Sequence, residues 1–384
     1  MLRIGFVGAG GVNFGSPEGP WDHASRLENL PNVTFTGIAD PFVDFAKKQL
    51  EKRKNNSNSQ ISSKWSNCVV VDSFKKLIGL EGGKKLVDVV FIGLPPHAHG
   101  STNAPSNIEI LCAKQGVHMF IEKPLGVSAP EQVEEINKVI SESGVIVAVG
   151  YMLRYSAAVE KALELLNGKK PVCVNAKYNA AYSRIHKKDW WSVKTSGGPV
   201  VEQGTHFADL IRYIGGEVDL STIQAVSVPA NCSIAKNLSE MPPLPGGEHN
   251  VPESERIPRC TSSSFKFESG AIGTLTHALL LHDQRYFTEI DIWADGIRVM
   301  IQDPYYDTKL VVRREHCNDE EEIPVPKIAT GDDMYLKEVI AFIDAIRTNN
   351  PSKIRSLYSD SMKTYRLTYE IRTKAEQFEN RSRL

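Results

Sequence analysis

Through residues 1–150, short apolar runs alternate with segments of helical period, the pattern of a parallel sheet covered by helices. Strands are expected over 3–7, 33–39, 68–71, 87–92, 118–121 and 145–149. The run Val87-Asp88-Val89-Val90-Phe91-Ile92 lacks a solvated alternate face, as a strand covered on both sides should. Helices are expected near 105–115 and 129–142, the second carrying Val133, Ile136, Val139 and Ile140 at helical spacing. The polar stretch 55–60 reads as a surface loop or a disordered insertion.

Past Gly150 the pattern changes. A helix near 156–167 precedes a strand at 172–178 and a second helix over 199–214. β-like stretches then follow one another at 223–228, 261–267, 271–277, 287–294 and 310–314. Strands grouped in this way imply a largely antiparallel sheet, hence an α+β domain. The Pro/Gly-rich segment 240–258 reads as a long loop, and helices near 332–347 and 357–378 close the chain. The expected division is 1–150, a doubly wound parallel α/β domain, and 151–384, an α+β domain with a largely antiparallel sheet.

Bulk properties narrow the function. At 384 residues the chain is too long for one ordinary core of about 150 residues. A formal net charge of -1 argues against a nucleic-acid or anionic-membrane footprint, which needs clustered Lys and Arg. The six cysteines are scattered without a C-x-x-C pair, and reduced, mostly buried thiols are the reading. The apolar opening Leu2-Arg3-Ile4-Gly5-Phe6-Val7 is too short for a signal segment, and no apolar stretch is long enough to span a bilayer. The expected location is cytoplasmic.

Candidate chemistry begins at Val7-Gly8-Ala9-Gly10-Gly11-Val12, directly after the first strand. Glycines there let the backbone turn tightly and approach a pyrophosphate, which a helix N-terminus then holds. Asn13 stands where G-x-G-x-x-G has its third glycine, and the breaker-rich residues 14–20 read as an insertion before a helix starting near 21–23. Asp40, at the end of the second strand, is placed to accept hydrogen bonds from an adenosine ribose and to repel a 2′-phosphate, favouring NAD over NADP. The competing role for Asp40 is a turn cap before Pro41.

Two more loops fall at carboxyl ends of parallel strands, where open α/β sheets bind ligands. One is Leu94-Pro95-Pro96-His97-Ala98-His99, the other Glu122-Lys123-Pro124. Burial of Lys123 would depress its pKa and suit it to hold or protonate a reacting hydroxyl; in isolation it would be a solvated loop lysine. Two histidines without a third ligand make no metal site. Further on, Glu202 and His206 stand four apart on an expected helix, one face suited to proton transfer or simply to an exposed pair. Tyr151, Arg154 and Trp190 are expected at a cleft, with Arg184, His186 and Trp191 adding an aromatic wall and polar contacts; core packing is the alternative for both tryptophans.

Taken together, the glycine turn, Asp40-Pro41, Pro95-Pro96-x-x-His99, Glu122-Lys123-Pro124 and Gly197-Gly198…Glu202-x-x-x-His206-x-x-Asp209 resemble the Gfo/Idh/MocA family of glucose–fructose oxidoreductases and inositol dehydrogenases over nearly the whole chain. The resemblance implies a Rossmann domain followed by a mostly antiparallel sheet that mediates dimers or tetramers, with a final helix packing back toward the first domain. It implies NAD as cofactor, bound by Gly8, Gly10, Gly11, Val12, Asn13, Asp40, Leu94, Pro95, His99, Glu122 and Lys123. Lys123 corresponds to the lysine contacting cofactor and substrate, His206 to the acid/base, and Glu122 to a residue near the nicotinamide ribose. Glu202, the third catalytic candidate, stands where many members have aspartate. The implied activity is NAD-dependent dehydrogenation of a sugar, sugar derivative or inositol. Three alternatives stay open: a glycosidase or epimerase that recycles bound NAD, a non-catalytic NAD-sensing regulator, and a structural oligomer with a vestigial dinucleotide site.

Overall fold

Six short strands form the first sheet: β1 Leu2–Val7, β2 Val33–Ala39, β3 Val69–Val71, β4 Val89–Ile92, β5 His118–Ile121 and β6 Val147–Val149. They are all parallel, in the order β3-β2-β1-β4-β5-β6. The winding direction reverses between β1 and β4, so the loops leaving their carboxyl ends diverge and open a crevice. The computed structural model describes every residue except 18, 183, 184, 186–188, 238–246 and 382–384.

The helices between these strands are α1 Gly11–Phe14, α2 His23–Glu28, α3 Val43–Lys54, α4 Ser59–Lys64, α5 Phe74–Leu77, α6 Ile108–Lys114 and α7 Pro130–Ser143. After the glycine turn only one helical turn forms before Gly15 and Pro17 interrupt it; the chain restarts at α2, where the Asp22 carboxylate caps the Ser25 N–H at 2.9 Å. The expected polar loop at 55–60 is shorter than its composition suggests. Asn58 accepts from the Gln60 N–H and starts α4 within it.

The second sheet has eight strands in the order β14-β13-β12-β11-β7-β10-β9-β8. They are β7 Cys173–Asn179, β8 Val218–Val228, β9 Cys260–Phe267, β10 Ile272–Ala278, β11 Phe287–Ala294, β12 Ile297–Gln302, β13 Lys309–Arg314 and β14 Glu321–Ile323. Every pairing is antiparallel except β7 with β10. Strict alternation in β9 turns Thr261, Ser263, Phe265 and Phe267 inward and Ser262, Ser264 and Lys266 to solvent. Strands β12 and β14 are not among the expected strands, although β12 carries Ile297, Val299, Met300 and Ile301. The first is the return arm of a tight hairpin turning at Asp295-Gly296, and the second is short and carries two glutamates.

Helices α8 Ala157–Leu166, α9 Val193–Ser196, α10 Pro199–Glu202 and α11 Thr205–Gly215 belong with this sheet. The single helix expected over 199–214 is therefore two, broken at Gln203-Gly204. Phe207 of α11 meets the Tyr178 ring of β7 edge-on at 5.4 Å.

Two helices finish the chain, α12 Met334–Thr348 and α13 Tyr358–Arg381. The chain divides into two compact units, Met1–Gly150 with Tyr335–Met362 and Tyr151–Met334 with Lys363–Leu384. Val339, Phe342 and Ile343 of α12 join the core of the first unit beside Phe6, Phe91 and Phe120. Between the two helices, Ser356 is latched to β6: the Val149 N–H donates to its carbonyl at 2.9 Å, and its hydroxyl donates to the Val149 carbonyl at 2.7 Å. No described helix is long and apolar enough to cross a membrane.

Candidate active site

The glycine turn is shaped by its neighbours. Gly8 has φ +93°, the left-handed region where a side chain is strained, and a Cβ there would also fall 2.7 Å from the Gly93 carbonyl oxygen. Gly10 caps α1, and a Cβ on it would meet nothing within 4 Å, so the space beside this backbone is clear for a pyrophosphate. Gly11 and Val12 are half-buried in the same turn. Asn13 has a different part from the one its position suggested. Its side chain is fully buried and donates to the Gly8 carbonyl at 2.8 Å, bracing the turn from behind, while its Oδ1 has no hydrogen-bond partner.

Asp40 is tied to that turn. Its Oδ2 accepts the Ala9 N–H and its Oδ1 the Phe42 N–H, both at 2.8 Å. Each carboxylate oxygen keeps a further lone pair, so a ribose diol can still be bound. The turn-cap and ribose roles are thus compatible, and the cap fixes the carboxylate beside the glycines.

On the other side of the crevice, Leu94 is half-buried and Pro95 exposed, leading into a short turn at Pro96–Ala98. His99 is enclosed rather than presented. Its Nδ1 lies 2.8 Å from Glu109 Oε1, and the Gly100 N–H donates to the same carboxylate. His99 therefore anchors the loop to α6 through a buried pair, a use the sequence does not announce because Glu109 reads as an ordinary helix-surface residue. Glu122 and Lys123 follow β5 directly and are both half-buried. Glu122 meets His23 of α2, Nε2 to Oε1, at 2.7 Å. His23 was not singled out from sequence, where it marks only the start of a helix.

In the second unit, the three residues expected at the substrate are all buried. The Tyr151 hydroxyl lies 2.8 Å from Thr205 Oγ1, and burial raises its pKa. Arg154 is neutralised by Asp209, donating from Nε at 2.7 Å and Nη2 at 2.6 Å. Trp190 donates from Nε1 to Glu202 Oε2 at 2.7 Å and meets Trp191 edge-on at 4.9 Å. Arg184 and His186 lie outside the described residues.

Because the helix breaks at Gln203-Gly204, Glu202 and His206 sit on two separate helices, not on one continuous face. The break aims Gln203 at the sheet, where its Oε1 lies 3.0 Å from His277 Nε2. Burial holds His277 neutral, with its pKa lowered to about 3, and its ring stacks on Tyr178 at 5.2 Å. His206 is buried with Tyr151 and Tyr305 standing edge-on to its ring at 6.1 and 5.9 Å. An imidazole is the side chain whose ordinary pKa suits it to proton transfer near neutral pH, which keeps His206 a candidate acid/base. Gln203 and His277 were missed because their pairing spans residues far apart in sequence.

Comparison with known proteins gives the same two halves. A family profile described as "Oxidoreductase family, NAD-binding Rossmann fold" matches residues 2–151, and an oxidoreductase C terminal domain profile matches 154–297. An uncharacterised protein of Schizosaccharomyces pombe, C12C2.04, is 35% identical over 96% of this chain and 95% of its own length. Myo-inositol 2-dehydrogenase of Thermotoga maritima is 23% identical over 92% of this chain and 90% of its own. The solved structure of levoglucosan dehydrogenase in complex with NADH superposes with a TM-score of 0.73 at 15% identity, covering 98% of this chain and 97% of that one; this likeness establishes the fold.

Proposed function

The chain belongs to the Gfo/Idh/MocA family of oxidoreductases, and from that premise we propose that it transfers a hydride between NAD(H) and a secondary alcohol or ketone of a sugar, sugar derivative or inositol. The observation carrying the cofactor half is Asp40, whose carboxylate is fixed by the Ala9 and Phe42 N–H groups beside the glycine turn. A negative charge there favours a free ribose 2′-hydroxyl over a 2′-phosphate, hence NAD over NADP. The substrate class rests on relatives named for inositol and levoglucosan.

When bound, NAD supplies a hydride acceptor at nicotinamide C4. His206 takes the proton from the substrate hydroxyl in the oxidative direction and returns it in reduction. Lys123 donates a hydrogen bond to the same oxygen and stabilises the charge developing on it. Tyr151, Arg154 and Trp190 act from behind, fixing Thr205, Asp209 and Glu202 rather than touching substrate. Leu94 and Pro95 would border the cofactor and Glu122 would face it, while Asn13 and His99 hold the loops there in shape.

The test is an absorbance and fluorescence assay with NAD and then NADP across a panel of inositols, aldoses and glycosides. A substrate-dependent rise in NADH, abolished in Lys123→Ala and His206→Ala variants that still bind NAD, is the expected result. NAD binding with no net NADH from any substrate would replace the dehydrogenase reading by internal cofactor recycling or a regulatory role. Absence of any NAD-induced rise in melting temperature would remove the cofactor itself.

A further inference from the structure

His23, the first residue of α2, is 3% exposed and lies 2.7 Å from the carboxylate of Glu122. Its ring is held against Phe91 and Phe120 at 5.3 and 5.0 Å; those two rings stack on each other, and Phe342 closes them edge-on. The helix that carries it is equally fixed. Arg53 donates to both oxygens of Asp22, its cap, at 3.0 and 2.9 Å and to Glu28 at 3.2 Å, while Trp65 Nε1 donates to Glu28 at 2.7 Å. Packed against these rings and buried, the imidazole gives the Glu122 carboxylate a fixed hydrogen-bond partner.

Glu122 leaves β5 at the carboxyl end of the sheet, and Asp40 leaves β2 at the same end. In the order β2-β1-β4-β5 the two stand on opposite sides of the reversal between β1 and β4. A dinucleotide whose adenosine ribose is at Asp40 extends across that crevice, which brings its other half toward Glu122. We infer that His23 is a positioning residue that fixes the Glu122 carboxylate for the nicotinamide half of the cofactor, an inference that rests on the NAD reading above. Removing the imidazole frees the carboxylate to sample other rotamers, and what is lost is the hydrogen bond rather than the ring's volume.

The experiment compares wild type with His23→Phe and His23→Gln, using NADH fluorescence for the whole cofactor and ADP competition for its adenosine half. His23→Phe should raise the Kd for NADH about tenfold, the loss of one charge-assisted hydrogen bond, and alter the nicotinamide emission, while ADP binding stays within about twofold. His23→Gln keeps an N–H donor and should recover most of the affinity and the emission. Should His23→Phe fail to fold, Glu122→Gln should weaken NADH similarly, and adding His23→Gln to it should cost nothing more. Unchanged NADH binding in His23→Phe, equal losses for NADH and ADP, failure of His23→Gln to recover, or additive losses in the double variant would each overturn the inference. A wild type that binds neither NADH nor ADP would instead remove the cofactor reading on which it stands.

Discussion

A Cβ placed on Gly93, at the end of β4, would fall 2.7 Å from Nδ2 of Asn13. The missing third glycine of the dinucleotide turn is thus compensated across the sheet: Asn13 brings a side chain to the β1–α1 junction, and Gly93 makes space for it. The amide is used at once, donating to the Gly8 carbonyl and holding the turn closed.

Gly93→Ala must displace Asn13 from that bond, and overpacking of this kind destabilises by about 1–3 kcal/mol. Chemical denaturation should show the loss, and adding Asn13→Ala should cost less than the sum of the two single changes, because both act on the same contact. Strictly additive losses would mean that the two residues do not share the space.

Asp40→Ala should weaken NAD binding on the order of tenfold through loss of a charged acceptor. The ratio of NADP to NAD affinity should rise, because the repulsion of a 2′-phosphate is gone. Calorimetric titration with both cofactors checks this; an unchanged ratio would assign Asp40 to turn-capping alone.

Asp209 holds the buried Arg154 guanidinium and also accepts from the Thr364 hydroxyl at 2.9 Å. Asp209→Asn leaves a cation enclosed without its counter-charge and should cost about 3–5 kcal/mol. The melting temperature reads this directly, and a variant as stable as wild type would show that Arg154 finds another partner or reaches water.

His277 predicts a pH dependence. Its pKa falls from the ordinary 6.5 to about 3 because burial disfavours the imidazolium. Above pH 6.5 neither folded nor unfolded chain carries this proton. Between 6.5 and about 3 the unfolded chain binds it and the folded chain does not. Stability is therefore lost as pH falls through that window, at a limiting slope of about 1.4 kcal/mol per pH unit from this group. The difference in unfolding free energy between wild type and His277→Asn, followed from pH 7 to pH 4, should shrink accordingly. A constant difference would place the imidazole in contact with solvent.

The sequence by itself determined the strands of the first sheet and six of the eight in the second, because burial forces a period: continuous apolar runs in strands covered on both faces, strict alternation in β9. It also located the glycine turn and Asp40 at the ends of β1 and β2, since a backbone at positive φ and a strand-end carboxylate need particular residue types at nearby positions. It marked Lys123 and His206 through motif spacing. Tertiary structure alone decided which polar groups face each other. His23 with Glu122, His99 with Glu109, Gln203 with His277 and Asn13 with Gly93 are pairings made by packing between separate elements, and a one-dimensional pattern carries no record of them. It also decided that Tyr151, Arg154 and Trp190 are enclosed, because a polar side chain can be buried whenever the fold supplies its partner, and that partner is far away along the chain.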